Sequence, residues 1–338
     1  MPPPRAPSAP RGKDQTVEFR AWKGANLTDA RTDIGDDELF FLENAITVGK
    51  GSIQILPKQA ASVATIAAGV AKLFGFTLSG NARLITINND GSISQITTAG
   101  VVTAVAAANT VTTSAQCAIW QSSPILIVDP TKGFFSWDGT TFTTEAAGQT
   151  HTSLAVFEGR VFLAKNRTIT YTAPNTFNDF TAGNGAGSTI LTDEAFPGLI
   201  IALESALEEL WIVGQGAIDA LANVTASGTA PNVTTSFSIT NIVTNLGSNA
   251  KNSVIGYFRA LALMAPFGAY ALSGVTPQKL SDKIDGIFPA LTLTGDVPAA
   301  VAVVQSLQCL FFLATYTPSV DVSLPVPQSG LSTAAPLL

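Results

Sequence analysis

The chain has 338 residues, of which 12% are charged, and its formal net charge is −6 at neutral pH. This length suits one large or two ordinary domains, and the charged share is about half that of an ordinary globular protein. The acidic balance argues against a dedicated nucleic-acid-binding protein, which would carry a basic face.

The first 33 residues are predicted to form a disordered or extended arm. Prolines recur through residues 1–10, a composition typical of extended, proline-rich segments. The same residues lack the apolar run of a secretory signal. We therefore expect residues 1–33 to stay outside any folded core.

Residues 34–59 are predicted to form a short helix followed by a strand. In Asp36–Ile46, acidic residues come first and apolar residues fall at Leu39, Leu42 and Ile46. This pattern is typical of a short amphipathic helix with negative charge at its N-terminal end. A glycine turn and an alternating strand are expected over Gly49–Pro57.

From residue 60 to residue 316 one pattern recurs, with a spacing of roughly 35 to 55 residues. Each copy has two apolar runs around a polar turn, then a break and a further strand that often holds an aromatic residue. The paired runs are Leu73–Ile87, Cys117–Val128, Leu154–Ala164, Leu199–Val213, Ser253–Met264 and, as a partial copy, Ala300–Ala314. The rhythm predicts an all-β fold, a β-propeller-like repeat of short antiparallel strands. A β-sandwich and a long β-solenoid stay open as alternatives.

Two of the runs, Leu210–Val213 and Leu261–Met264, are predicted to be inner, buried strands, because continuous apolar runs are typical of strands covered on both faces. No membrane span is expected. The uncharged stretch Val297–Tyr316 is interrupted by Pro298 and by a polar turn, and so divides into two short runs. Residues 317–338 are expected to form an extended tail.

The residue types used in metal and nucleophilic chemistry are scarce. His151 is the single histidine, and the two cysteines, Cys117 and Cys309, lie in apolar runs that favour buried free thiols. We expect His151 to be a solvated loop residue. The glycine-rich segment Gly183–Ser188 lacks the lysine and the helix of a phosphate-binding loop, so a flexible loop is expected. No metal or cofactor site is predicted.

Because some glycosidases have propeller folds, a glycosidase is the strongest enzymatic alternative, and it would need two placed carboxylates. The candidates are Asp129, Asp138, Asp193, Glu194 and Asp219. Asp129 and Asp138, like Asp90, precede proline or glycine, where turn chemistry alone favours aspartate. The arginines of the repeat region, which a sialidase-like enzyme would cluster, mostly fall at predicted hairpin turns: Arg83, Arg160, Arg167 and Arg259. The sequence therefore predicts no enzyme and no catalytic residue.

Three stretches, in their order along the chain, resemble the nozzle or tail tubular proteins of short-tailed phages. They are Leu39–Asn44 with Gly49–Ile53; Gly159–Ala164 and Tyr171–Phe180 followed by Ile200–Ala220; and Leu261–Met264 with Phe267–Tyr270 and Leu280–Ile284. The resemblance covers most of residues 34–316. Many proteins of that family are longer, so a full nozzle and a smaller portal-proximal tail factor both remain open.

The resemblance implies a structural virion protein, assembled in the host cytoplasm as a homohexameric ring below the portal or adaptor. Such a ring would conduct or retain DNA through transient, non-specific contacts, and it would meet tail fibre or spike proteins. The rival from another class is a receptor-binding tail fibre or spike module, which would be trimeric and carry a carbohydrate groove.

Overall fold

The computed structural model describes residues 24–26, 33, 35, 38–39, 45–48, 52–55, 62–192, 194, 196–293, 299–304 and 309–316. The chain divides into two compact units, residues 1–59 and residues 60–338. Most of the predicted arm and all of the predicted tail lie outside the described residues.

The described part of the first unit consists of short strands. β1 (Gly24–Ala25) pairs in parallel with β2 (Glu38–Leu39), and β3 (Ala45–Val48) forms an antiparallel hairpin with β4 (Ser52–Ile55). The helix predicted over residues 36–46 is therefore wrong for the residues described within it. The β-branched run that begins at Ile46 favours a strand, and an isolated helix of this length is marginal in water. The strand expected after the glycine turn is confirmed at β4.

The second unit is a five-bladed β-propeller of four-stranded antiparallel sheets. The first sheet contains β5 (Val70–Leu78), β6 (Asn81–Asn88), β7 (Ile93–Thr97) and β8 (Val102–Ala106). The second contains β9 (Gln116–Ile119), β10 (Ile125–Asp129), β11 (Gly133–Trp137) and β12 (Phe142–Ala146). The third contains β13 (Ser153–Phe157), β14 (Arg160–Lys165), β15 (Thr168–Tyr171) and β16 (Gly187–Ile190).

The fourth sheet contains β17 (Ile200–Ala206), β18 (Glu209–Gly214), β19 (Ala217–Ser227) and β20 (Thr234–Thr244), and the fifth contains β21 (Ile255–Tyr257), β22 (Ala260–Ala265), β23 (Gly268–Ser273) and β24 (Thr276–Lys279). A three-stranded sheet of β25 (Leu291–Thr292), β26 (Ala299–Val304) and β27 (Cys309–Tyr316) packs on the fifth. The described helices are short 3-10 segments at Ala182–Asn184, Lys251–Ser253 and Asp282–Ala290.

The sheets pack face to face in chain order. Because successive side chains of a strand point to opposite faces, Ile125 and Ile127 of β10 pack against the first sheet, whereas Leu126 and Val128 pack against the third. This double coverage explains the uninterrupted apolar sequence of the strand. The same alternation confirms that Leu210–Val213 and Leu261–Met264 are buried strands.

The first strands of successive sheets, β5, β9, β13, β17 and β21, are neighbours and line the centre of the propeller. Each is hydrogen-bonded to the second strand of its own sheet, and the sheet order then runs outward to the fourth strand. The described part of Val297–Tyr316 forms the hairpin β26–β27, as its two apolar runs predicted. Within the described residues, no helix has the length and apolar character needed to cross a membrane.

Candidate functional site

Asp129, the first candidate carboxylate, is buried at the end of β10 and serves the fold. One oxygen, Oδ2, accepts hydrogen bonds from the backbone N–H and the hydroxyl of Thr112 at 2.6 and 2.7 Å. The other, Oδ1, accepts from the backbone and hydroxyl of Thr131 and from the backbone of Lys132, at 2.8 to 2.9 Å. Burial acts to raise the pKa of Asp129, but these bonds outweigh it and the pKa lies below its ordinary value. Both oxygens are therefore engaged in joining two loops.

The remaining candidates are scattered over the propeller. Asp138 caps an exposed turn by accepting from the backbone N–H groups of Thr140 and Thr141, both at 2.7 Å, and these bonds lower its pKa. Asp219, in β19 of the fourth sheet, is buried and accepts from Asn241 at 2.7 Å. Burial raises its pKa, and the bond from Asn241 opposes that shift. Glu194 is exposed, and Asp193 lies outside the described residues.

The other residues singled out in the sequence are also placed. The expectation of a solvated His151 is wrong, since the ring is buried with Nε2 at 3.3 Å from the Thr170 hydroxyl, and burial lowers its pKa. Cys117 is a free thiol on β9, and burial raises its pKa to about 12. The side chain of Cys309 is not among those described. In the described part of the chain, no three or more His, Cys, Asp or Glu side chains gather to hold a metal ion.

The glycine-rich loop at 183–188 is anchored, which corrects the expectation of a flexible loop. The carbonyl of Gly183 accepts from the backbone of Val233 at 3.0 Å, and that of Gly185 accepts from the Thr235 hydroxyl at 2.5 Å. These bonds tie the loop to the hairpin β19–β20. A phosphate would need free backbone N–H groups, but those of Asn184 and Ala186 donate to the Thr181 carbonyl and that of Gly185 donates to the Ala182 carbonyl.

A polar cluster at the centre of the propeller was not predicted from the sequence. The ammonium of Lys251, just before β21, donates to the carbonyls of Ser114 at 2.9 Å and Thr152 at 3.4 Å, which precede β9 and β13. Beside it, Gln116 Nε2 donates to Asn252 Oδ1 at 3.1 Å. The fifth sheet thus bonds to the second and third across the ring. No local motif signals these contacts, because the partners lie more than 90 residues apart in sequence.

A carboxylate bridges the fourth and fifth sheets. Glu204 of β17 accepts a hydrogen bond from the backbone N–H of Gly256 in β21 at 3.0 Å. Burial raises the pKa of Glu204 to about 7, with the bond from Gly256 acting in the opposite direction. Its acid form is therefore populated near neutral pH, at a seam between two blades.

No protein-family model matches the chain, and no curated protein is significantly similar to it. Solved structures with a similar fold include PorZ, a bacterial surface component of the type-IX secretion system of Porphyromonas gingivalis, with 14% identity and a TM-score of 0.46. Another is an auxiliary nutrient binding protein from Bacteroides thetaiotaomicron, with 10% identity and a TM-score of 0.44. Each match covers 72% of this chain, but 31% of PorZ and 66% of the nutrient binding protein.

Proposed function

We propose that the chain is a structural protein of a short-tailed phage tail, one copy of a ring below the portal or adaptor that conducts or retains DNA. The observation that carries the proposal is the ordered set of three sequence stretches similar to the nozzle and tail tubular family. Two of these stretches cover strands of the third, fourth and fifth sheets together with the segments that follow β15 and β24. They therefore lie in the repeated framework of the propeller and not in one surface loop.

The use of the buried carboxylates supports a structural role. Asp129 has both oxygens saturated by hydrogen bonds, and Asp138 caps a turn. Asp219 lies in a different sheet and is bonded to Asn241. A glycosidase needs two carboxylates that face one substrate, and these three serve separate parts of the fold.

The closed centre of the propeller bears on how such a protein would enclose DNA. The bonds from Lys251 to Ser114 and from Gln116 to Asn252 cross the ring of blades at the end where the first strands begin. Because these bonds already span the centre of one propeller, the channel in this proposal is bounded by several copies. The net charge of −6 suits a conduit, because few phosphate contacts would retard the DNA.

In this proposal the ring is a homohexamer whose neighbours are the portal or adaptor above and tail fibre or spike proteins beside it. Contact with DNA is transient and independent of sequence. The protein acts in the tail of the virion after assembly in the host cytoplasm.

Electron microscopy of particles that carry an affinity-labelled copy tests the proposal directly. We expect the label in a six-fold ring at the portal vertex. Label on trimeric fibres would contradict the nozzle proposal and favour the receptor-binding alternative. Absence of the labelled protein from particles would overturn both the nozzle proposal and that alternative.

A further inference from the structure

The five outer strands of the propeller differ in how well their free edges are protected. These strands are β8, β12, β16, β20 and β24, each the last in its sheet. A free edge presents unpaired backbone N–H and C=O groups to other chains. Proteins usually block such an edge with charge, proline, a short strand or a covering loop.

Three of the edges carry such protection. β12 includes Glu145, whose carboxylate accepts from Asn178 at 2.8 Å. β24 includes Pro277 and Lys279, and Lys279 forms an ion pair with Asp285. β16 has only four residues, and the loop that leads into it is covered by the hairpin β19–β20.

β20 is long and lacks both charge and proline, and the loop at 183–188 contacts it at its beginning through Thr235. It has 11 residues, against four or five in the other outer strands, and contains neither a charged residue nor a proline. Its side chains alternate between exposed polar residues, such as Ser236 and Ser238, and half-buried apolar ones, such as Phe237 and Ile239. In the described part of the chain no strand pairs with its outer edge.

β8, the outer strand of the first sheet, is the second outer strand with an edge that no described strand pairs with. Its sequence has no charged residue and no proline, and its first three residues are exposed. Val102 is 38% exposed and the preceding Val101 57%. β8 and β20 thus share three features: both are uncharged, both are extended, and no described strand pairs with their outer edges.

Side chains of the third sheet also hold the outer strand β20 in place. The guanidinium of Arg160, only 2% exposed, donates to the Thr235 hydroxyl at 2.8 Å. The rings of Phe237 and Tyr171 meet edge to face with centroids 5.4 Å apart. Because the strand is already fixed in an extended conformation, pairing with it costs little further ordering.

We propose that β20 of one copy pairs with β8 of the next copy, so that a sheet of one propeller continues into a sheet of its neighbour. This inference rests on the proposed ring, whose subunit contact it identifies. Since the two edges differ, the contact is heterologous, and such contacts close into rings when the rotation between copies allows. With five residues in β8, each contact is small, and two contacts per copy make the closed ring more stable than any open pair.

The test uses the full chain with a lysine placed on each edge, at positions whose side chains are exposed. Thr240→Lys blocks β20 and Thr103→Lys blocks β8, while Thr143→Lys on the already protected β12 is the matched control. Mass photometry should show rings for the wild type and the control, and at least a tenfold weakening of assembly for each blocked variant.

Mixing the two blocked variants separates this pairing from other modes. The Thr240→Lys copy keeps a free β8 and the Thr103→Lys copy keeps a free β20, so the mixture should give one-to-one pairs that neither variant forms alone. Self-association of the Thr103→Lys variant alone would instead indicate two-fold pairing of β20 and overturn the inference. Six-fold rings in particles carrying Thr240→Lys would also overturn it while leaving the proposed function intact.

Discussion

Arg160 and Thr235, 75 residues apart in sequence, are joined by a 2.8 Å hydrogen bond that fixes the long hairpin of the fourth sheet to the third. The same guanidinium donates through Nη1 to the carbonyls of Thr172 at 2.6 Å and Gly185 at 2.9 Å. Burial lowers the pKa of Arg160, and the nearby Tyr171 opposes the shift. A fully buried cation is thus held by neutral acceptors.

Replacing this cation should therefore be costly. In Arg160→Met the Thr172 carbonyl and the Thr235 hydroxyl lose this donor, and the Gly185 carbonyl keeps only its bond from Thr235. We expect a loss of about 3–5 kcal/mol in the free energy of unfolding. Urea denaturation measures it. Arg259→Met, at an exposed position, should change stability by less than about 0.5 kcal/mol. Equal effects of the two substitutions would refute the clamp assigned to Arg160.

Asp129→Asn tests the carboxylate at the end of β10. The amide of asparagine cannot accept through its nitrogen, so at least two of the hydrogen bonds are lost, and we expect a destabilisation of about 2–4 kcal/mol. Because the pKa of Asp129 is lowered in the folded state, this contribution is present above its unfolded pKa of about 3.9. It is lost as the pH falls through the lower, folded-state pKa.

Measuring stability against pH distinguishes hydrogen bonding to the charged carboxylate of Asp129 from an effect of side-chain packing alone. The difference between wild type and Asp129→Asn should shrink below about pH 4. A difference that stays constant from pH 7 to pH 2 would contradict the role of the charge.

The contribution of Glu204 to stability should depend on pH in the opposite sense to that of Asp129. The pKa of Glu204 rises from 4.5 to about 7 on folding, so the folded state binds more protons between these values. Its contribution to stability is full below about pH 4.5 and is lost as the pH rises through 7, a change on the order of 3 kcal/mol. Glu204→Gln should remove this slope, and thermal denaturation from pH 4.5 to pH 8 measures it.

Buried His151 titrates in an overlapping range with the opposite sign, because its folded-state pKa is lowered. The comparison must therefore be the difference between wild type and Glu204→Gln, in which the contribution of His151 cancels. An unchanged slope in the variant would rule out Glu204 as its source.

Substitution of Trp211 tests the contact between the fourth and fifth sheets. It is 1% exposed, packs in the cluster shared by these sheets and donates its indole N–H to the Ala206 carbonyl at 3.0 Å. Trp211→Ala should cost about 3–5 kcal/mol. The control Phe258→Ala, at a ring that is 74% exposed, should be nearly neutral, and a comparable loss there would show that burial between sheets is not the cause.

Local patterns in the sequence indicate the buried strands of the propeller, but not the polar contacts between its sheets. Uninterrupted runs such as Ile125–Val128 carry their own signal, because a strand covered on both faces has no polar side. The carboxylate of Asp129 was correctly assigned to turn chemistry from its neighbour Pro130. The burial of His151, in contrast, depends on strands that pack over it, and nothing near it in sequence indicates them.

The wrong helix at residues 36–46 and the missed cluster at Lys251 have related causes. A period of three to four over eleven residues is too short to separate helix from strand once β-branched residues follow at Ile46. The bonds from Lys251 to Ser114 and Thr152 link loops of three different sheets. Such contacts follow from the closure of the propeller, which no local window contains.

The way the sheets are joined also determines how the propeller should respond to force. Among the described residues strands pair only within their own sheet, and consecutive sheets are joined by side-chain packing and by a few hydrogen bonds, such as those of Glu204 with Gly256 and of Arg160 with Thr235. A pull on the chain ends would therefore detach the sheets one after another. Each step would release the 37 to 55 residues between one first strand and the next, an extension of roughly 130 to 190 Å. The length of the protein would therefore increase in discrete steps.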